Sequence, residues 1–165
     1  MNEVIISIGS NLGDRLENMS EAIKRLTSDS KEKIKCSHVY ESKAVGFSSE
    51  NNFYNAVFSF STKLSVLEVL DKISMVESAM GRLRLSKSYT DRIIDLDIIG
   101  FNNLTIDSEI LTLPHPRYSR RLFVLLPLFE LYPQWVDLNT CVSINEMIEK
   151  CLQESIVKLS FSICL

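Results

Sequence analysis

"DRIIDLDIIG", residues 91–100, places two aspartates inside an apolar run, Asp95 and Asp97, with Leu96 between them. Read as a strand, it sends successive side chains to opposite faces. Ile94, Leu96 and Ile98 then take a buried face, and Asp95 and Asp97 share the other, roughly 7 Å apart at the backbone. Carboxylates this close repel and raise each other's pKa, and burying them is costly without a compensating charge. A divalent cation removes that cost. Hard oxygen ligands in small number suit Mg²⁺, which keeps several waters and also binds phosphates. Two such ions roughly 3.5–4 Å apart fit a carboxylate pair of this kind. The alternative is a strand whose exposed face carries two solvated aspartates, and D-x-D alone does not choose between them.

The flanking sequence favours the cation reading. Arg82, Arg84, Lys87 and Arg92 lie directly before the aspartates. A guanidinium fork matches phosphate oxygens, and a cation site beside an arginine cluster is what a nucleoside triphosphate requires. Downstream, "LPHPRYSRR" (113–121) sets His115 between two prolines, followed by Arg117, Arg120 and Arg121. This basic segment is expected to close the phosphate site from the other side. No GxxxxGK[ST] loop, kinase HRD or DFG set, or Ser/His/Asp arrangement is present, which excludes those classes.

Further outward, residues 4–8 read as a strand that ends at the turn "GSNLGD". Asp14 with Glu17 forms a capping box, and Leu16, Met19, Ala22, Ile23 and Leu26 recur at helical spacing, which predicts a helix over 14–28. Ile34, Cys36, His38 and Tyr40 alternate as a strand, and "GFSSENN" reads as a mobile loop. Residues 53–62 form another strand, with Phe53 and Asn55 on one face. Ser65 and Glu68 make a second capping box for a helix closed by Gly81 at C′. The order is β-α-β-β-α-β. It predicts an α+β fold of the ferredoxin-like βαββαβ type: an antiparallel sheet with both helices on one face and the other face free to bind. Beyond it, the pattern predicts a short strand near 104–106, a helix over 119–131 containing Pro127, a short helix over 144–152, and an apolar tail read as a last strand or a docked tail.

The chain has 165 residues, 45% apolar and 24% charged, which fits one domain over 1–165. The net charge of −3 provides no basic field, so no nucleic-acid partner is expected. Cys36, Cys141, Cys151 and Cys164 form no CxxC pair and read as free thiols suited to a reducing, cytoplasmic setting. No signal peptide is legible in "MNEVIISIG". No apolar run reaches the roughly 18 residues of a membrane span.

Five blocks carry a family resemblance: "GSNLGDRLENM", "FYNAV", "ESAMGRLR", "RIIDLDII" and "LTLPHPR". Over about residues 6–135 their order and spacing resemble the 6-hydroxymethyl-7,8-dihydropterin pyrophosphokinase family, leaving 136–165 as an extension. The resemblance implies transfer of diphosphate from ATP to 6-hydroxymethyl-7,8-dihydropterin, with release of AMP. It implies two Mg²⁺ ions on Asp95 and Asp97, Arg82 and Arg92 gripping the transferred phosphates, and Arg84 on a closing loop. His115 and Arg121 would contact ATP, Leu70, Ile98, Leu111 and Thr112 would line the adenine pocket, and Glu77 would lie near the nucleotide. Phe53 and Phe123 would sandwich the pterin, Asn55 would bond its edge, and Ser42, Lys43 and Val45 would supply backbone groups, with Tyr89 against the ring. It also implies closure of loops 43–52 and 82–91, with ATP and the pterin as partners and no membrane. A monomer or weak homodimer is expected.

The chain departs from the family pattern around "SYTDR". A basic residue is usual where Ser88 stands, Gly or Ala at Thr90, Trp at Tyr89, and Pro or a small residue at Asp91, so Asp91 adds negative charge beside Arg92. Lys43-Ala44 replaces a frequent Pro-Pro pair. A non-catalytic or degenerate nucleotide- or pterin-binding module on the same fold is the rival reading. It would not require Asp95, Asp97, Arg82 and Arg92 together. An RNA-binding domain would need a basic balance.

Overall fold

The computed structural model describes residues 1–30, 33–82, 90–151 and 155–163. The elements run β1 (Asn2–Ser10), α1 (Arg15–Leu26), β2 (Lys35–Cys36), β3 (His38–Ser42), β4 (Phe53–Thr62), α2 (Val66–Ala79), β5 (Asp95–Phe101), β6 (Ile106–Asp107), β7 (Thr112–Leu113), a 3₁₀ turn (Tyr118–Arg120), α3 (Leu122–Leu131), α4 (Ile144–Lys150) and β8 (Ile156–Ser162). The architecture is mixed α and β, with a six-stranded antiparallel sheet in the order β5-β1-β4-β3-β8, β2 beside β4, and a separate two-stranded antiparallel sheet of β6 and β7.

Of the two capping boxes the sequence predicts, the second forms in full and the first as a one-way cap. Asp14 accepts the Glu17 N–H at 3.0 Å, and Ser65 and Glu68 complete a reciprocal box. Gly81 takes φ +89° after α2, a left-handed turn that costs glycine little. The strand expected around residues 34–40 is broken at Ser37, whose N–H donates to Val57 O and whose Oγ accepts the Val57 N–H. The helix expected over 119–131 splits into the 3₁₀ turn and α3, and α3 continues past Pro127.

Alternation divides the sheet as the opening stretch predicts. Val4, Ile6, Ile8, Ala56, Phe58, Leu96 and Ile98 face α1 and α2 in one core. The opposite face is not free along its length. Ile5, Val57 and Ile99 lie under Tyr118, Val124, Leu125, Leu128, Ile144 and Met147 in a second core. The expectation of an open face is therefore corrected: α3 and α4 cover one half, and only the end bearing Asp95 and Asp97 stays accessible. The reason is α3 itself, which is apolar around most of its circumference and so packs as a buried helix.

The C-terminal tail is a strand, β8, paired with β3. Glu130 of α3 pins it: its carboxylate meets Lys158 of β8 and accepts from the His38 N–H at 2.8 Å and the Tyr40 hydroxyl at 2.7 Å. Burial alone would raise the Glu130 pKa, but the bonds from Lys158, His38 and Tyr40 prevail and hold it down at about 2. A depressed carboxyl stabilises the fold above its unfolded value and loses that contribution as pH falls through the folded value. The difference in melting temperature between the native chain and Glu130→Gln is therefore expected to be full at neutral pH. It should shrink as pH falls from about 4.5 toward about 2. A pH-independent difference in a thermal scan would contradict this.

Cys141 and Cys151 are free, but Cys36 is disulfide-bonded, which corrects the reading of all four cysteines as free thiols. Among the described residues no helix is long and apolar enough to cross a membrane.

Candidate active site

The open half of the sheet becomes a cleft because of what the central strand omits. Register places Ser7 beside Asp97, and Gly9 between Asp95 of β5 and Asn55 of β4. Small residues on β1 leave the floor low, with carboxylates on one side and Phe53 and Asn55 on the other. The cleft is lined by Ser42, Lys43, Val45, Phe53, Asn55, Arg92, Asp95, Asp97, Arg121 and Phe123, all expected from the sequence. Ser7, Gly9 and Phe47 also line it and were not anticipated. An isolated glycine in a strand is a signal of close approach: a Cβ on Gly9 would meet Asn55 Oδ1 at 3.3 Å and Phe53 Cδ1 at 3.7 Å. Phe47 meets Phe53 edge to face, with centroids 6.3 Å apart. Asn55 donates to Ser42 Oγ at 3.0 Å, and Arg121 lies over the Phe123 ring at 5.7 Å.

Asp95 is bound by Arg82 at 2.6 Å and Arg92 at 3.3 Å. Asp97 lies 3.8 Å from both His115 Nε2 and Arg121 Nη1. Enclosure at the cleft floor, and then the charge of Asp95, push the Asp97 carboxyl up to about 6 against the pull of Arg121 and Arg82. The repulsion inferred from the D-x-D spacing is present. Burial, and then Arg121, push His115 down to about 4, so it is neutral at physiological pH. Its Nδ1 accepts the Arg117 N–H at 3.2 Å, which leaves the proton on Nε2, facing Asp97.

Glu77, expected near the nucleotide, is 1% exposed. From α2 it pairs with Arg82 and accepts the Leu96 N–H at 2.9 Å. It fixes an arginine and the metal-candidate strand from beneath. The candidate adenine residues lie off the cleft. Ile98 is 4% exposed in the α1/α2 core, Leu70 and Leu111 pack against that core, and Thr112 is in β7. Arg84, Lys87, Ser88 and Tyr89 lie outside the described residues.

Among the described residues no group of three or more acidic, His or Cys side chains is placed to hold a metal. Two carboxylates in an open cleft suit an ion that draws its remaining ligands from water and phosphate, which is the habit of Mg²⁺.

A family model describing 7,8-dihydro-6-hydroxymethylpterin-pyrophosphokinase (HPPK) matches residues 5–133. The chain is 34% identical over 156 residues to a 2-amino-4-hydroxy-6-hydroxymethyldihydropteridine pyrophosphokinase of Haemophilus influenzae, covering 94% of this chain and 96% of that one. It is 40% identical over 133 residues to the protein of the same name from Aquifex aeolicus, covering 81% and 82%. It is 37% identical over 153 residues to the folic acid synthesis protein fol1 of Pneumocystis carinii, where it covers 93% of this chain but spans only 20% of the relative's length. A crystal structure of HPPK-DHPS in complex with substrates superposes with a TM-score of 0.70 at 16% identity, over 90% of this chain and 43% of that one. At that identity the likeness speaks for the fold alone.

Proposed function

The chain belongs to the 7,8-dihydro-6-hydroxymethylpterin-pyrophosphokinase family, and from that premise we propose how its residues carry out the family's reaction: transfer of diphosphate from ATP to 6-hydroxymethyl-7,8-dihydropterin, with release of AMP, as a step of folate biosynthesis. The observation that carries the reading is the pair Asp95 and Asp97 on one face of β5, ringed by Arg82, Arg92, His115 and Arg121 and sharing one cleft with Phe53, Asn55 and Phe123.

Asp95 and Asp97 would hold Mg²⁺, two ions by our reading, which supplies charge neutralisation and orientation for the triphosphate. Arg82 and Arg92 stand on the same side and bind the transferred phosphates. Arg121 and neutral His115 bind from the other edge, His115 as a hydrogen-bond donor through Nε2–H. The pterin lies between Phe53 and Phe123, with Asn55, held by Ser42, reading its edge. Catalysis on this plan is positioning and charge stabilisation of an in-line attack by the pterin hydroxyl on the β-phosphorus. The strand order supports the ferredoxin-like βαββαβ description, with β8 added at one edge.

The test is AMP formation from ATP with Mg²⁺ and the pterin. Pterin-dependent AMP is expected, and tight pterin binding without AMP would overturn the catalytic reading in favour of a binding module. Gly9→Ala sharpens the pterin assignment. Its added methyl crowds Asn55 and Phe53, so pterin KM should rise about tenfold while the ATP KM holds. An equal rise in both would place the pterin elsewhere.

A further inference from the structure

The carboxylate of Asp91, neighbour of Arg92 in sequence, gathers donors from two other segments. Its Oδ1 accepts from Asn11 Nδ2 and from Ser49 Oγ, each at 2.6 Å, and its Oδ2 accepts from Asn51 Nδ2 at 2.8 Å. Asn11 belongs to the turn after β1, while Ser49 and Asn51 belong to the segment between β3 and β4. Asn11 in turn grips the approach to β5: its Oδ1 accepts the Arg92 N–H at 2.7 Å, and its own N–H reaches Arg92 O at 3.2 Å. The Arg92 guanidinium lies over the Phe53 ring at 5.5 Å. The segment bonded to Asp91 carries Phe47, which meets Phe53 from the other direction. From outside, Arg15 donates to Asn52 O at 2.8 Å. One carboxylate thus ties a wall of the cleft to the strand end that bears a phosphate-binding arginine. The Ser49 hydroxyl first, then Asn51 and Asn11, hold the Asp91 carboxyl below its usual range, as expected of an acceptor that its donors satisfy while ionised.

We propose that Asp91 is a positioning residue for the pterin: its carboxylate latches segment 46–52 against the cleft, so that Phe47 backs Phe53. The proposal rests on the pyrophosphokinase reading. A wall that is latched is already in its binding conformation. Without the latch the competent fraction falls, and apparent affinity falls with it. Hydrogen bonds to a charged acceptor are the stronger kind, and here three converge.

The experiment measures pterin and nucleotide dissociation constants by calorimetry, with Mg²⁺ and a non-hydrolysable ATP analogue present, for the native chain, Asp91→Ala, Asp91→Asn, Ser49→Ala and Asp91→Ala/Ser49→Ala. Amide hydrogen exchange over 46–52 is followed in parallel. Asp91→Ala is expected to weaken pterin about tenfold, to leave the nucleotide within about twofold, and to speed exchange in 46–52 about tenfold. Asp91→Asn, which keeps one acceptor oxygen, falls between. The double variant binds pterin no worse than Asp91→Ala, because Ser49 acts through the same carboxylate. Unchanged exchange, equal losses for both ligands, or strictly additive losses would each overturn the latch. A native chain that binds no pterin overturns the pyrophosphokinase reading instead, and the exchange comparison still decides the latch.

Discussion

Asp97→Ala is expected to lower AMP release by about 10³-fold while leaving the protein folded. Asp97 faces the cleft from β5, its neighbours Leu96 and Ile98 are committed to the core, and its carboxyl is pushed up to about 6 by enclosure and by Asp95. That shift fixes the sign of a second outcome. A folded-state pKa above the ordinary 3.8 means that the native state disfavours the ionised form, a penalty absent at low pH and complete above the folded value. Asp97→Asn should therefore raise the melting temperature without added cation at pH 7.5, and the gain should vanish as pH falls from about 6 toward about 4. Activity lost together with a stability gain is the mark of a carboxylate kept for its chemistry. Activity retained in Asp97→Ala would remove it from the metal site, and a lower melting temperature at pH 7.5 would make its role structural.

Glu77→Ala is expected to cost about 3 kcal/mol of stability, because it strips a buried partner from Arg82 and leaves the Leu96 N–H without this acceptor. The Glu77 side chain is 2% exposed and that of Arg82 17%, so water replaces neither contact well. Glu77→Gln keeps an oxygen for Leu96 and should lose less. Urea unfolding of Glu77→Ala, Arg82→Ala and the double variant checks the coupling: the double loss should fall short of the sum. A loss below about 0.5 kcal/mol for Glu77→Ala would refute the pairing. Because Arg82 also holds Asp95 at 2.6 Å, Glu77→Ala should depress AMP release through a loosened arginine, with the ATP KM rising.

Much of this was legible in the sequence because period two is rigid. Once residues 94–99 are a strand with Leu96 in the core, Asp95 and Asp97 can only point the other way, and Phe53 and Asn55 follow the same rule on β4. Caps at Asp14 and Ser65 fixed where α1 and α2 begin. The cover over half the sheet was not foreseen because α3 has no polar face to declare which side it buries. Its run 122–131, apolar but for Glu130, was the available signal. The pairing of Glu77 with Arg82 was not legible, because spacing cannot say whether a helical carboxylate turns to a ligand or to a buried arginine. The local sequence sets Asp91 beside Arg92, whose charge acts on its carboxyl, but the three side-chain donors that hold it come from segments far apart in the chain that no local pattern reveals. Ser7, Gly9 and Phe47 escaped notice because two of them matter for being small, and the third for lying in a loop.

The position of β1 bears on how the fold is reached. The first strand of the chain is an inner strand of the sheet, paired with β4 on one side and the edge strand β5 on the other, so that Val4 meets Phe60 and Phe101. Its nine residues cannot be enclosed until nearly two thirds of the sequence has been synthesised. Contact order is correspondingly high, and such topologies close slowly because loop entropy is spent before the distant pairs form. β5, the edge strand beside β1, comes last in sequence of these three and brings both aspartates with it, so the mutual repulsion of the carboxylates enters at the closing step. Folding rate, and not only final stability, should then respond to whatever cation neutralises them.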